Sequence, residues 1–221
     1  MMPVTVTENR KSHHNTKVRN RIRKTAGQVF RAAGYENASI DTLMAAADLT
    51  RGAFYAHFRS KSELFASVIR DDHLLLSALL QREGNDGKML WTEMREIFSD
   101  YLSPHSLPLT YTSCTFASLS ETTARGDIAM RTGFGTAFNA VLAEMVRGQM
   151  ISITHPNMVA ALSTAIGAVS TASACSDPKV QTIILNASHD VFRRLTSSAR
   201  LEAEHTGSRH DVHDGHIRVL E

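Results

Sequence analysis

The sequence predicts an all-α protein of about nine helices whose N-terminal part is a three-helix, helix-turn-helix domain, and three observations predict it. Apolar residues recur at the 3.6-residue period in segment after segment, while no stretch of useful length alternates with period two. The breaks between segments carry helix stop and start signals: Gly34, Ser39, Thr50, Asp127 and the pair Asp177-Pro178. Between Ser39 and Leu64, in SIDTLMAAADLTRGAFYAHFRSKSEL, two short helices flank a tight turn, and Thr50, Arg51 and Gly52 tip the second. Such a tip suits the major groove of DNA.

The elements follow in chain order. Residues 1–15 are polar, with Pro3, Ser12, His13 and His14, and are expected to be a disordered basic leader. From Lys17 the positions Val18, Ile22, Ala26, Val29, Phe30 and Ala33 define a first helix that ends at Gly34. Ser39 caps a second over Ile40 to Ala47, Asp48-Leu49 turns the chain, and Thr50 caps a third through Phe58. Ser60 then opens a long fourth helix, because Leu64, Phe65, Val68, Ile69, Leu75, Leu76, Leu79 and Leu80 keep the period as far as Gly84-Asn85-Asp86-Gly87. Leu90, Trp91, Met94, Ile97, Phe98, Tyr101 and Leu102 make a fifth, stopped near Pro104. Cys114 to Ala124 is a shorter sixth. Asp127 caps a seventh containing Ile128, Phe134, Phe138, Val141, Leu142 and Met145. Pro156 lies in the first turn of an eighth, and Asp177-Pro178 starts a ninth that runs to about Arg200. The tail over 201–221, with His205, His210, His213 and His216, has no fixed ligand spacing and reads as disorder rather than a metal site.

Composition narrows the function classes. With 43% hydrophobic and 21% charged residues in 221, the chain is ordinary for a globular protein with one large or two small cores. No apolar run approaches the roughly 18–20 residues that span a bilayer, and the N-terminus lacks an apolar signal segment, so a cytoplasmic protein is expected. Cys114 and Cys175 stand apart without metal-type spacing, which argues against a disulfide framework or a zinc site. The net charge of +2 hides an asymmetry: residues 1–70 hold twelve Lys and Arg against five acids, a balance of +7, leaving −5 for the rest. A basic end on a mildly acidic body fits docking on phosphates, although a solvated basic face accounts for charge alone equally well.

The motif then becomes specific. A basic amphipathic first helix, Gly34-Tyr35, the Ser39-Ile40 opening, Leu49-Thr50-Arg51-Gly52-Ala53-Phe54-Tyr55, His57-Phe58, Lys61 and Leu64 together resemble the DNA-binding domain of the tetracycline-repressor (TetR) family of bacterial transcriptional regulators, from Lys17 to about Ile69. Each residue also has its own chemistry. Thr50 and Arg51 occupy the helix end that faces base edges, and Arg51 can donate twice to guanine, worth about 1–3 kcal/mol of discrimination. Gly52 lets a backbone approach closely; the other reading is a glycine that weakens its helix by about 1 kcal/mol. Tyr55 and His57 are placed on the DNA side by the resemblance, with a plain surface histidine as the alternative for His57. Phe54 and Phe58 fall to the core. Lys61, Ser39 and Thr42 are candidates for holding phosphates at helix starts. Arg10, Lys11 and Lys17 form either an arm along the duplex or a disordered leader. Two positions depart from the family pattern: Asp48 stands where the turn usually has Gly, and Met44 where a small residue is usual. Asp tolerates a left-handed backbone and Met adapts its shape.

One recognition helix reads few base pairs, so a palindromic operator and a homodimer are expected. The chain divides accordingly into a DNA-binding domain over 16–76, with its helix-turn-helix at about 39–58, and a regulatory and dimerisation domain over 77–200. Ala161, Ala165, Ala168 and Ala172 form a small-residue stripe on the eighth helix. The ninth presents Val180, Ile183, Ile184, Ala187, Val191 and Leu195. The resemblance assigns this pair to the dimer interface, with internal packing as the competing assignment. It also implies a repressor released from its operator by a small-molecule effector held among helices four to seven. Phe65, Ile69, Asp72, Trp91, Met94, Phe98, Cys114, Phe116, Phe134 and Phe138 are the pocket candidates; core packing is the alternative for each aromatic. Asp72 interrupts the apolar stripe of the fourth helix. Cys114 opens the sixth helix, where a thiol gains reactivity, so an electrophile or oxidant sensor on the same scaffold is an alternative to a buried filler. A Cys-dependent hydrolase is the alternative of another class; no nucleophile-elbow, phosphate-loop or metal-ligand spacing supports it. No cofactor is expected.

Overall fold

The computed structural model describes residues 6–71, 73–109 and 114–211. Among them are ten α-helices and no strand: α1 (Val6–Ala33), α2 (Ile40–Ala46), α3 (Arg51–His57), α4 (Lys61–Asp71), α5 (Leu74–Leu80), α6 (Gly87–Tyr101), α7 (Thr115–Arg125), α8 (Ile128–Met145), α9 (Pro156–Ala174) and α10 (Pro178–Asp211). The all-α expectation holds. Two compact units result, one of Met1–Leu74 with Thr112–Ala137, the other of Leu75–Tyr111 with Phe138–Glu221. α7 and the start of α8 belong to the first of these units.

The predicted punctuation is built from the predicted atoms. Gly34 ends α1 at φ +79°. The Ser39 side chain accepts from the Thr42 amide and the Thr50 side chain from the Ala53 amide, capping α2 and α3. Asp127 Oδ1 accepts from the Met130 amide at 3.0 Å at the head of α8, and Asp177 Oδ1 from the Lys179 amide at 2.8 Å at the head of α10. Each such cap stabilises its helix by about 1 kcal/mol.

Three boundaries differ from expectation. The helix α1 begins at Val6, so residues 6–15 are helical where a disordered leader is expected, and α10 continues to Asp211, past the expected end near Arg200. His213 and His216 lie outside the described residues. The long fourth helix is two helices, since α4 stops at Asp71 and α5 starts at Leu74. Asp72 itself lies outside the described residues. His73 follows the break and is buried.

The first unit is packed around Ile22, Phe30, Leu43, Phe54, Phe58, Leu64, Phe65, Val68 and Ile69, all essentially inaccessible. Burying each such side chain is worth about 1.5–3 kcal/mol. Phe30, Tyr35 and Phe65 form an aromatic triangle with centroids 5.0–5.7 Å apart. At Gly133 a Cβ would lie 2.8 Å from the Ala66 carbonyl, so glycine is what allows α8 to approach α4.

In the second unit α9 lies along α10. Ala161, Ala165, Ala168 and Ala172 are buried inside the protomer, so the small-residue stripe serves internal packing, the competing assignment for it. The exposed side of α9 carries Ser163, Gly167 and Thr171, and α10 exposes Val180, Ile183 and Ala187. By length and composition α9 could cross a membrane, a run that its many Ala, Ser and Thr residues hide from inspection; here its apolar side is covered within the unit. Arg82 is the buried charge of this unit. Its guanidinium donates to the carbonyls of Leu79 (2.9 Å), Leu90 (2.7 Å) and Glu144 and pairs with the Glu144 carboxylate at 3.3 Å. Those acceptors compensate the desolvation of the ion.

Candidate nucleic-acid interface

The surface of interest is made by α2, the turn after it and α3. Leu43 and Met44 of α2 and Phe54 of α3 point inward, with Phe54 and Phe58 rings 6.0 Å apart. Burying this face leaves the opposite one outward, where Ser39, Thr42, Thr50, Arg51, Gly52 and Tyr55 are all exposed. Both departures from the family pattern are absorbed. Asp48 takes the left-handed conformation itself, at φ +52°, and Met44 is buried, with its carbonyl accepting the Leu49 amide at 2.9 Å. A short side chain with local hydrogen-bonding capacity is the least costly substitute for glycine at such a φ.

The tip of α3 has a built arrangement of donors. Arg51 Nη1 donates to Asp41 Oδ2 at 2.8 Å, linking the first turns of the two helices. Both side chains are more than half exposed, so the pair orients the guanidinium at little energetic cost and yields readily to a stronger acceptor. The Tyr55 hydroxyl, and then Asp41, hold the Arg51 pKa above its usual value. Gly52 has no internal reason to be glycine: its φ is ordinary, and an added Cβ would meet only Thr50 Oγ1, at 3.7 Å. Nothing inside the protein fills the space outside it.

His57 and Lys61 are placed differently. His57 is half-buried, and burial, followed by the nearby charges of Arg19 and His14, lowers its pKa, so it offers a neutral N–H rather than a positive charge. Lys61 does not extend freely. Its Nζ donates to the Tyr35 carbonyl at 2.9 Å and sits 4.1 Å from the Tyr35 ring centroid. A phosphate at the head of α4 would have to draw it from that seat or meet the helix amides instead.

Arg19 is a residue that sequence reasoning missed. Its guanidinium lies 4.1 Å from the Phe58 ring centroid, donates to the His57 carbonyl at the end of α3 and approaches Glu63 at 3.9 Å. It thereby fastens the C-terminus of α3 to α1, where a cation also complements the helix dipole. The signal was only its position, one residue past Val18 at the margin of the apolar face.

The pocket candidates are divided between the units. In the first, Phe65, Ile69, Cys114 and Phe116 are buried, and the half-buried Phe134 packs 4.8 Å from Phe116. In the second, Trp91, Met94 and Phe98 are buried and Phe138 is half-buried. Phe65 is taken up by Phe30 and Tyr35, and Phe98 stacks on Phe192 at 4.4 Å, which is core packing. The Cys114 side chain is fully enclosed, a poor position for meeting an oxidant. His73 lies with its ring centroid 3.9 Å from that of Phe116 and has no hydrogen-bond partner at either nitrogen among the described residues; its pKa is pushed down to about 4, first by burial and then by Arg31. Sequence reasoning missed it too.

Comparison with known proteins agrees with this geometry. The family described as bacterial regulatory proteins, tetR family, matches residues 22–68, which enclose α2, α3 and most of α4. The HTH-type transcriptional repressor Rv1474c of Mycobacterium tuberculosis is 37% identical over 71 residues, 32% of this chain and 38% of that protein. The transposon Tn10 TetC protein of Escherichia coli is 31% identical over 74 residues, 34% of this chain and 37% of its own length. These matches thus span less than two-fifths of the relatives. Solved structures extend the likeness of fold. A TetR-family transcriptional regulator from Streptomyces coelicolor, SCO4454, superposes with a TM-score of 0.56 at 19% identity over 81% of this chain and 96% of its own. The fatty acid degradation regulator FadR of Bacillus halodurans gives 0.55 at 14% over 79% and 94%, and SmeT in complex with triclosan 0.55 at 18% over 82% and 91%. Residues 22–68 thus match the family described as bacterial regulatory proteins, tetR family, and the helical frame around them has the fold of solved TetR-family regulators.

Proposed function

We propose that this protein is a homodimeric, sequence-specific DNA-binding repressor that leaves a palindromic operator when a small molecule binds. One observation carries the reading: the exposed tip of α3 presents Thr50, an oriented Arg51 and Tyr55 around a glycine whose only evident use is close approach to something outside the protein. Arg51 reads a guanine edge in the major groove, while Thr50 and Tyr55 contact the backbone or thymine methyls. Ser39, Thr42 and the head of α4, with Lys61, hold phosphates and set the register. His57 contributes as a neutral donor.

Control by a small molecule is supported by the kinship of fold with SmeT, whose structure holds triclosan, and with a regulator of fatty acid degradation. Such a ligand acts only through different affinities for the DNA-competent and DNA-incompetent conformations. The exposed face of α9, with Val180, Ile183 and Ala187 at the start of α10, supplies the dimer contact that two half-sites require. Selection of bound genomic fragments by the purified protein, followed by sequencing, identifies the operator, and the same site then tests the residues. Arg51→Ala is expected to abolish preference for that site while leaving the dimer intact. Equal affinity of Arg51→Ala for the site would show that α3 is not the reading element.

A further inference from the structure

The second unit carries a concentration of positive charge that repression does not use. Along α10, Asp190, Arg193, Arg194, Ser197 and Leu201 share one helical face and line an open groove of about 540 Å³, with Arg95 of α6 on its other side. The register is fixed beneath the groove: Phe98, one turn beyond Arg95, stacks on Phe192, the neighbour of Arg193, at 4.4 Å and 22°. Three guanidinium groups are thereby held over one depression.

None of the three has an ion-pair partner among the described residues. Arg200, further along the same helix, pairs with Glu204 at 3.0 Å, so α10 does form such bonds where it can. Asp190 stands at the right spacing for Arg193 and Arg194 and pairs with neither. Arg95 itself and the neighbouring His189 register the accumulated field. Burial, then Arg193 and Arg200, lowers the Arg95 pKa, and burial, then Arg193, lowers that of His189. Three cations gathered around the single carboxylate of Asp190 leave a net positive charge that destabilises a protein unless an anion visits it.

We infer that the groove between α6 and α10 binds a small multivalent oxyanion, a phosphorylated or polycarboxylic metabolite, through Arg95, Arg193 and Arg194. Planar guanidinium forks match the paired oxygens of carboxylate and phosphate, and the Ser197 hydroxyl adds a neutral donor on the same face. The volume is that of a small-molecule site, roughly 300–1,000 Å³. This site is separate from the α3 surface and does not depend on the DNA-binding reading.

The test uses the full chain at constant ionic strength, titrated with pyrophosphate and with citrate by calorimetry, the two arms separating the phosphate from the polycarboxylate source. The Arg193→Gln/Arg194→Gln double variant, whose replacements are good helix formers at exposed positions, is expected to weaken the preferred anion roughly 10- to 100-fold. Arg95→Gln weakens it as well, and Arg51→Ala leaves it unchanged. The double variant melts higher than the parent in anion-free buffer, because repulsion has been removed. Equal binding by parent and double variant, or no binding of either anion, overturns the inference. So does a changed oligomeric state of the double variant without anion, which would make the arginines part of an interface between copies.

Discussion

Gly52→Ala separates the fold from its use. A Cβ at this position meets only Thr50 Oγ1, at 3.7 Å, an ordinary contact that leaves the N-cap bond to the Ala53 amide in place. Replacing a helical glycine without strain removes unfolded-state entropy and adds about 0.5–1 kcal/mol of stability. For a chain of this size that raises the melting temperature by about 1–4 °C. On the DNA side the methyl holds the tip of α3 away from the groove. Losing two short hydrogen bonds there, at about 1 kcal/mol each, weakens operator binding roughly 30-fold. Gly135→Ala is the control, since Gly135 is exposed in α8 and an added Cβ meets nothing within 4 Å. It should gain comparable stability and leave DNA binding alone. Fluorescence anisotropy with the selected operator at fixed salt, beside thermal melts, reads both quantities. A Gly52→Ala protein that is more stable and binds the operator undiminished would refute the idea that this glycine exists for close approach.

Other expectations follow from the same geometry. His73 has a folded pKa of about 4 against an unfolded value near 6.5, so the unfolded chain takes up the proton first. The associated stability is present above about pH 6.5 and lost on acidification, by about 2 kcal/mol at pH 5. His73→Phe should flatten that part of a denaturant-derived stability profile, and an unchanged slope would remove His73 as its source. Gly167→Trp places a bulky group on the exposed side of α9, where nothing lies within 4 Å of the added Cβ, and should leave the protomer folded while favouring monomers in sedimentation. Undiminished association would take this face out of the dimer contact. Cys114→Ala should leave operator release by oxidants and electrophiles unaffected, because the thiol is enclosed; loss of such release would restore the sensor reading.

Local chemistry made most of the fold readable in advance. Ser39, Thr50, Asp127 and Asp177 cap the helices they were expected to cap, because a cap depends on atoms within three residues. The features that local chemistry leaves unread are those decided at long range. Periodicity carried one helix across residues 71–74, since Leu64 to Leu80 keeps its spacing; the break follows from which side chains can be buried there. The assignment of α7 and the start of α8 to the first unit depends on contacts such as Gly133 against Ala66, which no local pattern encodes. The alanine stripe of α9 was legible as a packing face, whereas its partner, α10 of the same protomer, was not. Asp41, an unremarked helix-start acid in the sequence, proves to orient Arg51.

Charge is where the structure changes the argument most. Counting cations in residues 1–70 suggests a broad basic face, yet several are engaged within the protein. Arg21 pairs with Asp48, Arg23 and Arg70 with Asp71, and Arg51 with Asp41, while Arg19 and Lys61 are spent on backbone carbonyls and aromatic rings. Lys17, Lys24 and Arg59 are exposed and make no such side-chain contact. Each phosphate neutralised contributes about −0.9 to the slope of log affinity against log salt. Among the described side chains of this segment Lys17, Lys24 and Arg59 are the ready cations, so their contribution to the slope for non-specific DNA is shallow. The operator should give a steeper one, because the correct site draws Lys61 from its internal seat to a phosphate and brings the charge of Arg51 into the groove. Asp41→Asn tests the exchange: it frees Arg51 beforehand, so affinity for random DNA rises and the difference between the two slopes narrows. If the slopes were equal for operator and random DNA in the parent protein, the internal pairs would not be in competition with phosphates at all.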